Sequence, residues 1–333
     1  MAASRPAPLS KVELFSLVAS DLRRVDKVIA LDTVCSEDAV TSISRHLNSS
    51  GGKRLRPALV LLSARACGAR GDSPIRIAAV MEIIHAATLV HDDVIDNAEV
   101  RRGSPSPNRA WGNQISVLAG DWLYMQAFSI ALREREFEIL DILIDLTRMM
   151  VEGELMQAGL IGRLDVSEQQ YHDLIHRKTA CLLSACTRLG ALLARKGEKT
   201  EERLRAYGWN LGMAFQLIDD VLDFEATESV LGKPVGNDLK EGKVTLPMIL
   251  ALRKCTPAER ELVETVIRDR GYGSVSLARI LEILDRHGTI AEVRKRAMRF
   301  CDAALEGLET LPDSPHRRAL VDAAAHWAVV RAN

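Results

Sequence analysis

Apolar residues recur three and four apart over long windows of this chain, most clearly at Ile77, Val80, Met81, Ile84 and Ala87. That spacing is the signature of helices buried along one face. Start signals punctuate the windows. Ser10 precedes Glu13, Ser167 precedes Gln170, Thr256 precedes Pro257 and Glu259, and Thr289 precedes Glu292, each setting a capping hydroxyl three residues before a carboxylate or amide. The pattern predicts about a dozen helices, near 10–31, 36–48, 54–68, 74–97, 113–132, 136–160, 167–195, 200–224, 244–254, 257–270, 275–286, 289–307 and 315–331. No run alternates convincingly as a strand. Two breaks, 97–112 and 225–243, are rich in Gly, Pro or charge. With no short-period repeat and no composition shift, the expectation is an all-α, single-domain helical bundle over 10–331 behind a flexible end at 1–9.

Composition narrows the function. A chain of 333 residues buries enough surface to fold without disulfides or metals. Its 44 Lys+Arg stand against 45 Asp+Glu, so the basic surplus of a nucleic-acid binder is missing. Aromatic residues are only 4%, too few for a base-stacking platform. The six cysteines form no CxxC pair and no zinc spacing. They fit reduced core thiols and hence a cytoplasmic protein. The opening MAASRPAPLS lacks a signal-peptide core, and no uncharged apolar stretch reaches about 18 residues, so a soluble protein is expected.

The chemistry lies in two acidic motifs. HDDVID supplies Asp92, Asp93 and Asp96; QLIDDVLDF supplies Asp219, Asp220 and Asp223. In each, the first and last carboxylates are four apart, so on a helix they share a face about 6 Å from one another, with the middle one turned aside. Both motifs end strongly apolar helices, where the helix dipole already disfavours negative charge. Bound cations would relieve that cost. Magnesium fits, being held by one or two carboxylates plus substrate phosphates; the alternative is two solvated acidic helix ends.

Cations cluster around these motifs. GGKRLRP carries Lys53, Arg54 and Arg56 at the mouth of a helix, Arg101 and Arg102 follow the first motif, Lys233 and Lys243 follow the second, and Lys178 stands beside Thr179 in HRKTA. The grouping points to a phosphate-bearing ligand. Asp238 and Glu241 lie between Lys233 and Lys243, as outer links to metal-bound water or as surface pairing. His85, two turns before Asp92, is either a core histidine or a group turned toward an anion.

Taken together, GGKRLRP, HDDVID followed by RRG, the Lys-Thr pair, and QLIDDVLDF followed by GKPVGNDLKEGKVTLP resemble the trans-isoprenyl diphosphate synthases of the polyprenyl synthetase family, over essentially residues 10–331. The resemblance implies a central apolar cavity, two DDxxD motifs facing each other across its mouth, and a homodimer. It implies head-to-tail condensation of isopentenyl diphosphate onto an allylic diphosphate, farnesyl or geranylgeranyl, giving an all-trans polyprenyl diphosphate to be handed to the membrane. On this pattern Asp92 and Asp96 bind two magnesium ions and Asp219 a third, with Asp93, Asp220, Asp223 and Asp238 supporting. Arg101, Lys178, Lys233 and Lys243 hold the allylic diphosphate, while Lys53, Arg56, His85 and Arg102 hold isopentenyl diphosphate. Lys178, Thr179 and Gln216 act at the developing carbocation. The departing diphosphate takes the proton, so no protein base is required, and the 225–243 loop serves as a lid.

Chain length turns on the helix ending at Asp92. The family places a bulky aromatic near Ala87 and Thr88 when elongation stops early; here both residues are small. A floor at Ile84 or Met81 lies roughly 12 to 16 Å down the helix from Asp92, with Leu123 or Phe128 beside it. The expectation is a medium- or long-chain product, with geranylgeranyl or farnesyl diphosphate as the shorter alternative. A dimetal carboxylate bundle needs two Glu-x-x-His pairs, and only Glu82 with His85 offers one. A terpene cyclase typically replaces the second triad, and a noncatalytic synthase subunit usually loses its acidic motifs.

Overall fold

The structure, a computed structural model, describes residues 9–49, 54–101, 103–225 and 235–328. It is almost wholly helical and divides into two compact units. The first contains residues 1–145, 185–205 and 310–322; the second contains 146–184, 206–309 and 323–333.

In the first unit run α1 (Lys11–Ser16), α2 (Ala19–Asp32), α3 (Asp38–Ser49), α4 (Leu55–Ala66) and α5 (Ser73–Ile95). A small hairpin of β1 (Val100–Arg101) and β2 (Ser104–Pro105) leads to α6 (Pro107–Trp111) and α7 (Asn113–Leu132). The axis of this unit is α5, which packs against α2, α4 and α7. The expected stripe is its core, since Ile77, Val80, Met81, Ile84 and Ala87 are all fully buried. Gly120 lets α7 come close, for a Cβ there would lie 2.1 Å from His91 Nε2. Helices α5 and α7 are each long and apolar enough to cross a membrane, but the apolar window of α5 is 67% buried inside the protein, as befits a core helix.

The chain continues through α8 (Phe137–Leu160), α9 (Glu168–Ile175), a π-helical turn (His176–Ala180), α10 (Cys181–Leu193) and α11 (Glu198–Glu225). Then come α12 (Asn237–Lys240), α13 (Leu246–Leu252), α14 (Pro257–Asp269), α15 (Leu277–Arg286), α16 (Thr289–Glu306) and α17 (Pro315–Ala328). In the second unit α13 is buried over all of LPMILAL and packs against α9, α15 and α16. A helix apolar on every side has to be internal.

The capping boxes at Ser10, Ser167 and Thr256 form as expected, each hydroxyl accepting the N3 amide while the N3 side chain reaches back. Thr289 does not cap. Gly288, at φ +63°, takes the cap position and Thr289 is buried as the first helical residue, because only a residue tolerant of the left-handed region fits the preceding turn. The expected helix 10–31 divides after Ser16, whose hydroxyl bonds back to the Glu13 carbonyl at 2.6 Å, a competing contact that weakens a helix end. Of the expected flexible end 1–9, residues 1–8 lie outside the described residues, and Leu9 is tied down, its N–H donating to Asp322 Oδ2 at 3.0 Å.

Candidate active site

In the first unit the acidic motif forms the last turn of α5. Asp96 closes the helix with an N–H bond to the Asp92 carbonyl at 2.8 Å, so the two carry the helical spacing that puts their carboxylates on one face. Asp93 turns inward, 1% exposed, and accepts from Arg101 Nε at 2.8 Å. Arg101 is thereby fixed on β1 by the residue between the two outward carboxylates. Arg56 is half-buried in the first turn of α4, and His85 is half-buried on α5, its carbonyl accepting the Thr88 hydroxyl at 2.7 Å. Arg54, one of the expected anion-binding cations, instead bonds Asp26 at 3.0 Å and the buried Glu82 at 2.8 Å. That commits Glu82 to an ion pair and removes the one Glu-x-x-His pair a dimetal site required. Lys53, Arg102 and Lys233, with 226–234 of the expected lid, lie outside the described residues.

The second unit holds a cavity of about 150 Å³. Its lining combines apolar Leu160, Val166, Leu174, Ile175 and Val244 with Lys178, Thr179, Gln216, Asp219, Asp220, Asp238 and Lys243. Residues from α8, the π turn, α11 and the 236–245 segment thus meet as the spacing could only suggest. The expected helix 167–195 runs continuously through a π turn at HRKTA, which adds a residue to the turn that carries Lys178 and Thr179. Helices α8 and α11 approach it through glycines. A Cβ at Gly153 would lie 3.1 Å from Lys178 N, and one at Gly212 2.5 Å from Ala180 Cα.

Asp238 and Lys243 are brought to the cavity by pinned backbone. Gly236 takes φ +67°, donates to the Asp223 carbonyl at 2.6 Å and accepts from Tyr272 Oη at 2.7 Å. Asp223, expected to share a face with Asp219, is fully buried and accepts the Asp238 N–H at 3.1 Å, so it serves the loop that follows. Lys178 lies 2.8 Å from Glu154 and 3.2 Å from Gln157, and Lys243 pairs with Glu241 at 2.7 Å.

Four side chains form a hydrogen-bonded row. The Thr179 hydroxyl donates to Gln216 Oε1 at 2.7 Å, Gln216 Nε2 donates to Asp220 Oδ1 at 2.8 Å, and Tyr171 Oη donates to Asp220 Oδ2 at 2.6 Å. Burial pushes the Asp220 carboxyl well above the usual carboxylate range, reinforced by Asp238 and opposed by the two donated bonds. Burial and the facing Asp220 push the Tyr171 phenol up as well, holding it as a donor. Tyr171 was not singled out from sequence; a tyrosine in EQQYHD carries no local sign of a partner 49 residues away.

Among the described residues no group of three or more His, Cys, Asp or Glu closes a metal cage. Yet Asp219 and Asp238 line one cavity and each raises Asp220, which was expected to support a metal but has its two oxygens taken by Tyr171 and Gln216. Carboxylate oxygens of this kind fit a hard cation that completes its shell with water and phosphate oxygens.

These features have known counterparts. The chain belongs to the polyprenyl synthetase family, a family of prenyltransferases, whose model matches residues 37–284. It is 38% identical over 315 residues to the octaprenyl diphosphate synthase of Escherichia coli K12, covering 95% of this chain and 97% of that one. Its fold is similar to a decaprenyl diphosphate synthase from Rhodobacter capsulatus, with TM-score 0.92, 34% identity, and coverage of 97% of this chain and 100% of that chain. It is equally similar to a polyprenyl synthase from Caulobacter crescentus CB15 complexed with calcium and isoprenyl diphosphate, at TM-score 0.92 and 35% identity, covering 99% of this chain and 100% of that one.

Proposed function

We propose that this protein adds isopentenyl diphosphate units to an allylic diphosphate, in one catalytic domain over 10–331, to make a medium- or long-chain all-trans polyprenyl diphosphate. The observation that carries this is the second-unit cavity, whose lining brings lysines, carboxylates, Thr179 and Gln216 together with apolar side chains. Lys178 and Lys243, exchanging Glu154 and Glu241 for phosphate oxygens, neutralise the diphosphate together with Arg101 and Lys233 as the allylic carbon–oxygen bond breaks. Thr179 and Gln216 offer oxygen dipoles to the cationic carbon, and the apolar side chains keep out water that would quench it. Lys53, Arg56, His85 and Arg102 hold the isopentenyl diphosphate. About three magnesium ions, bound through Asp92, Asp96 and Asp219, would supply Lewis-acid stabilisation of the leaving group.

Incubation with farnesyl diphosphate, isopentenyl diphosphate and magnesium should give prenyl products that vanish on chelation; absence of product would sink the proposal. The small, buried Ala87 supports a long product, and Ala87→Phe should shorten the product mass by whole isoprene units. An unchanged mass would place the tail elsewhere.

A homodimer is part of the proposal. On α7, Ile115, Leu118, Met125 and Leu132, three and then seven residues apart, form an exposed stripe along one face, with Met125 63% exposed, and a second copy is its natural cover. Light scattering should report twice the chain mass and Met125→Glu should lower it; a monomeric wild type excludes the dimer. The six free thiols support a cytoplasmic setting.

A further inference from the structure

Tyr171 and Asp220 are 2% and 3% exposed, touch the cavity wall, and have no part in holding diphosphate. We infer that they are positioning residues that set the polarity of the Thr179 hydroxyl, and through it the sign of the dipole facing the allylic cation. The inference rests on the reading that Thr179 and Gln216 face that cation.

The two ends of a glutamine amide have nearly the same shape, so which end meets Thr179 is decided by what the other end meets. Asp220 Oδ1, 2.8 Å from Gln216 Nε2, can only accept. The Gln216 oxygen is therefore left to face Thr179, whose single hydroxyl proton is spent on it at 2.7 Å. Only the lone pairs of Thr179 Oγ1 remain for the cavity. With the amide reversed, Thr179 would accept from it and aim its own proton at the carbon gaining positive charge. Tyr171 holds Asp220 from behind, at Oδ2, with a 2.6 Å bond. Both carboxylate oxygens of Asp220 thus accept, one from Tyr171 and one from Gln216, and that pair of bonds fixes the sense of the amide.

Removing a donor that meets developing charge directly costs about 10²- to 10³-fold in turnover, and misorienting one through its anchor should cost less. Tyr171→Phe should lower kcat by about tenfold, with KM for both diphosphates and the magnesium requirement unchanged. Asp220→Asn, whose amide can present either end to Gln216, should do the same or worse. The decisive measurement repeats both substitutions in a Thr179→Val background, using long incubations with radiolabelled isopentenyl diphosphate. With no hydroxyl left to orient, each should then lower kcat by a smaller factor, the remainder being the effect on the Gln216 oxygen alone. If either substitution lowers kcat by the same factor with and without Thr179, or acts through KM or magnesium affinity, the inference is overturned. Two anchor variants, each checked by thermal unfolding, keep the test open should one fail to fold. An inactive wild type would remove the functional proposal itself, whereas an active wild type with multiplicative effects removes only this inference.

Discussion

Gly212 and Gly153 determine how closely their helices approach the turn that bears Lys178 and Thr179. A methyl group at 212 would meet the Ala180 Cα at 2.5 Å, a backbone atom that cannot swing aside. Gly212→Ala should therefore cost about 1–3 kcal/mol and lower activity with it, as the π turn shifts. Gly159 on α8 is the control, with nothing within 4 Å of its added Cβ. Gly159→Ala should be neutral or gain up to about 1 kcal/mol. Thermal unfolding of both variants checks the pair, and equal effects would mean the close approach carries no weight. Glycines 153 and 212 were indistinguishable from any others in sequence, because the contact that selects them comes from another helix.

Among the elements, those defined by neighbours in sequence could be read in advance. The capping boxes at Ser10, Ser167 and Thr256 and the long α5, α7 and α8 follow from local spacing. The hairpin could not be read, since each strand is only two residues and its pairing of Arg101 with Ser104 leaves no alternating pattern. Its role is visible in the Asp93 to Arg101 pair, where a 1% exposed carboxylate meets a guanidinium at 2.7 Å. Arg101→Met would leave that carboxylate buried without its cation, a change that typically costs about 3–5 kcal/mol, less here because Arg101 is 26% exposed. Adding Asp93→Leu should recover most of the stability and, on the proposed role of Arg101 in holding diphosphate, none of the activity. Denaturant midpoints and turnover measured side by side would separate the two roles, and recovery of both would deny Arg101 any part in catalysis.

Across the molecule, burial makes stability depend on pH. His172 and His316 are both held below the usual histidine value, each chiefly by burial. Below the unfolded value of 6.5 the unfolded chain takes up protons that the folded chain refuses, so stability should fall as pH drops through that value toward the lower folded one. Asp220 acts with the opposite sign, its raised carboxyl binding a proton more readily folded than unfolded. The clean comparison is thus wild type against His172→Phe: the wild type should lose more denaturant resistance on acidification, and parallel curves would exclude the histidine. What the sequence determined alone was the all-helical class, the two acidic motifs and the cations near them, because caps, apolar periodicity and motif spacing are local properties of the chain. Tertiary structure decided which of those charges are spent on the protein itself. Arg54 pairs with Glu82, Asp223 holds the Asp238 amide, and Asp220 is clamped by Tyr171, while Asp219, Lys178 and Lys243 line a cavity. Such a division depends on which side chains meet across helices and which lose their water, and neither is encoded at any fixed distance along the chain.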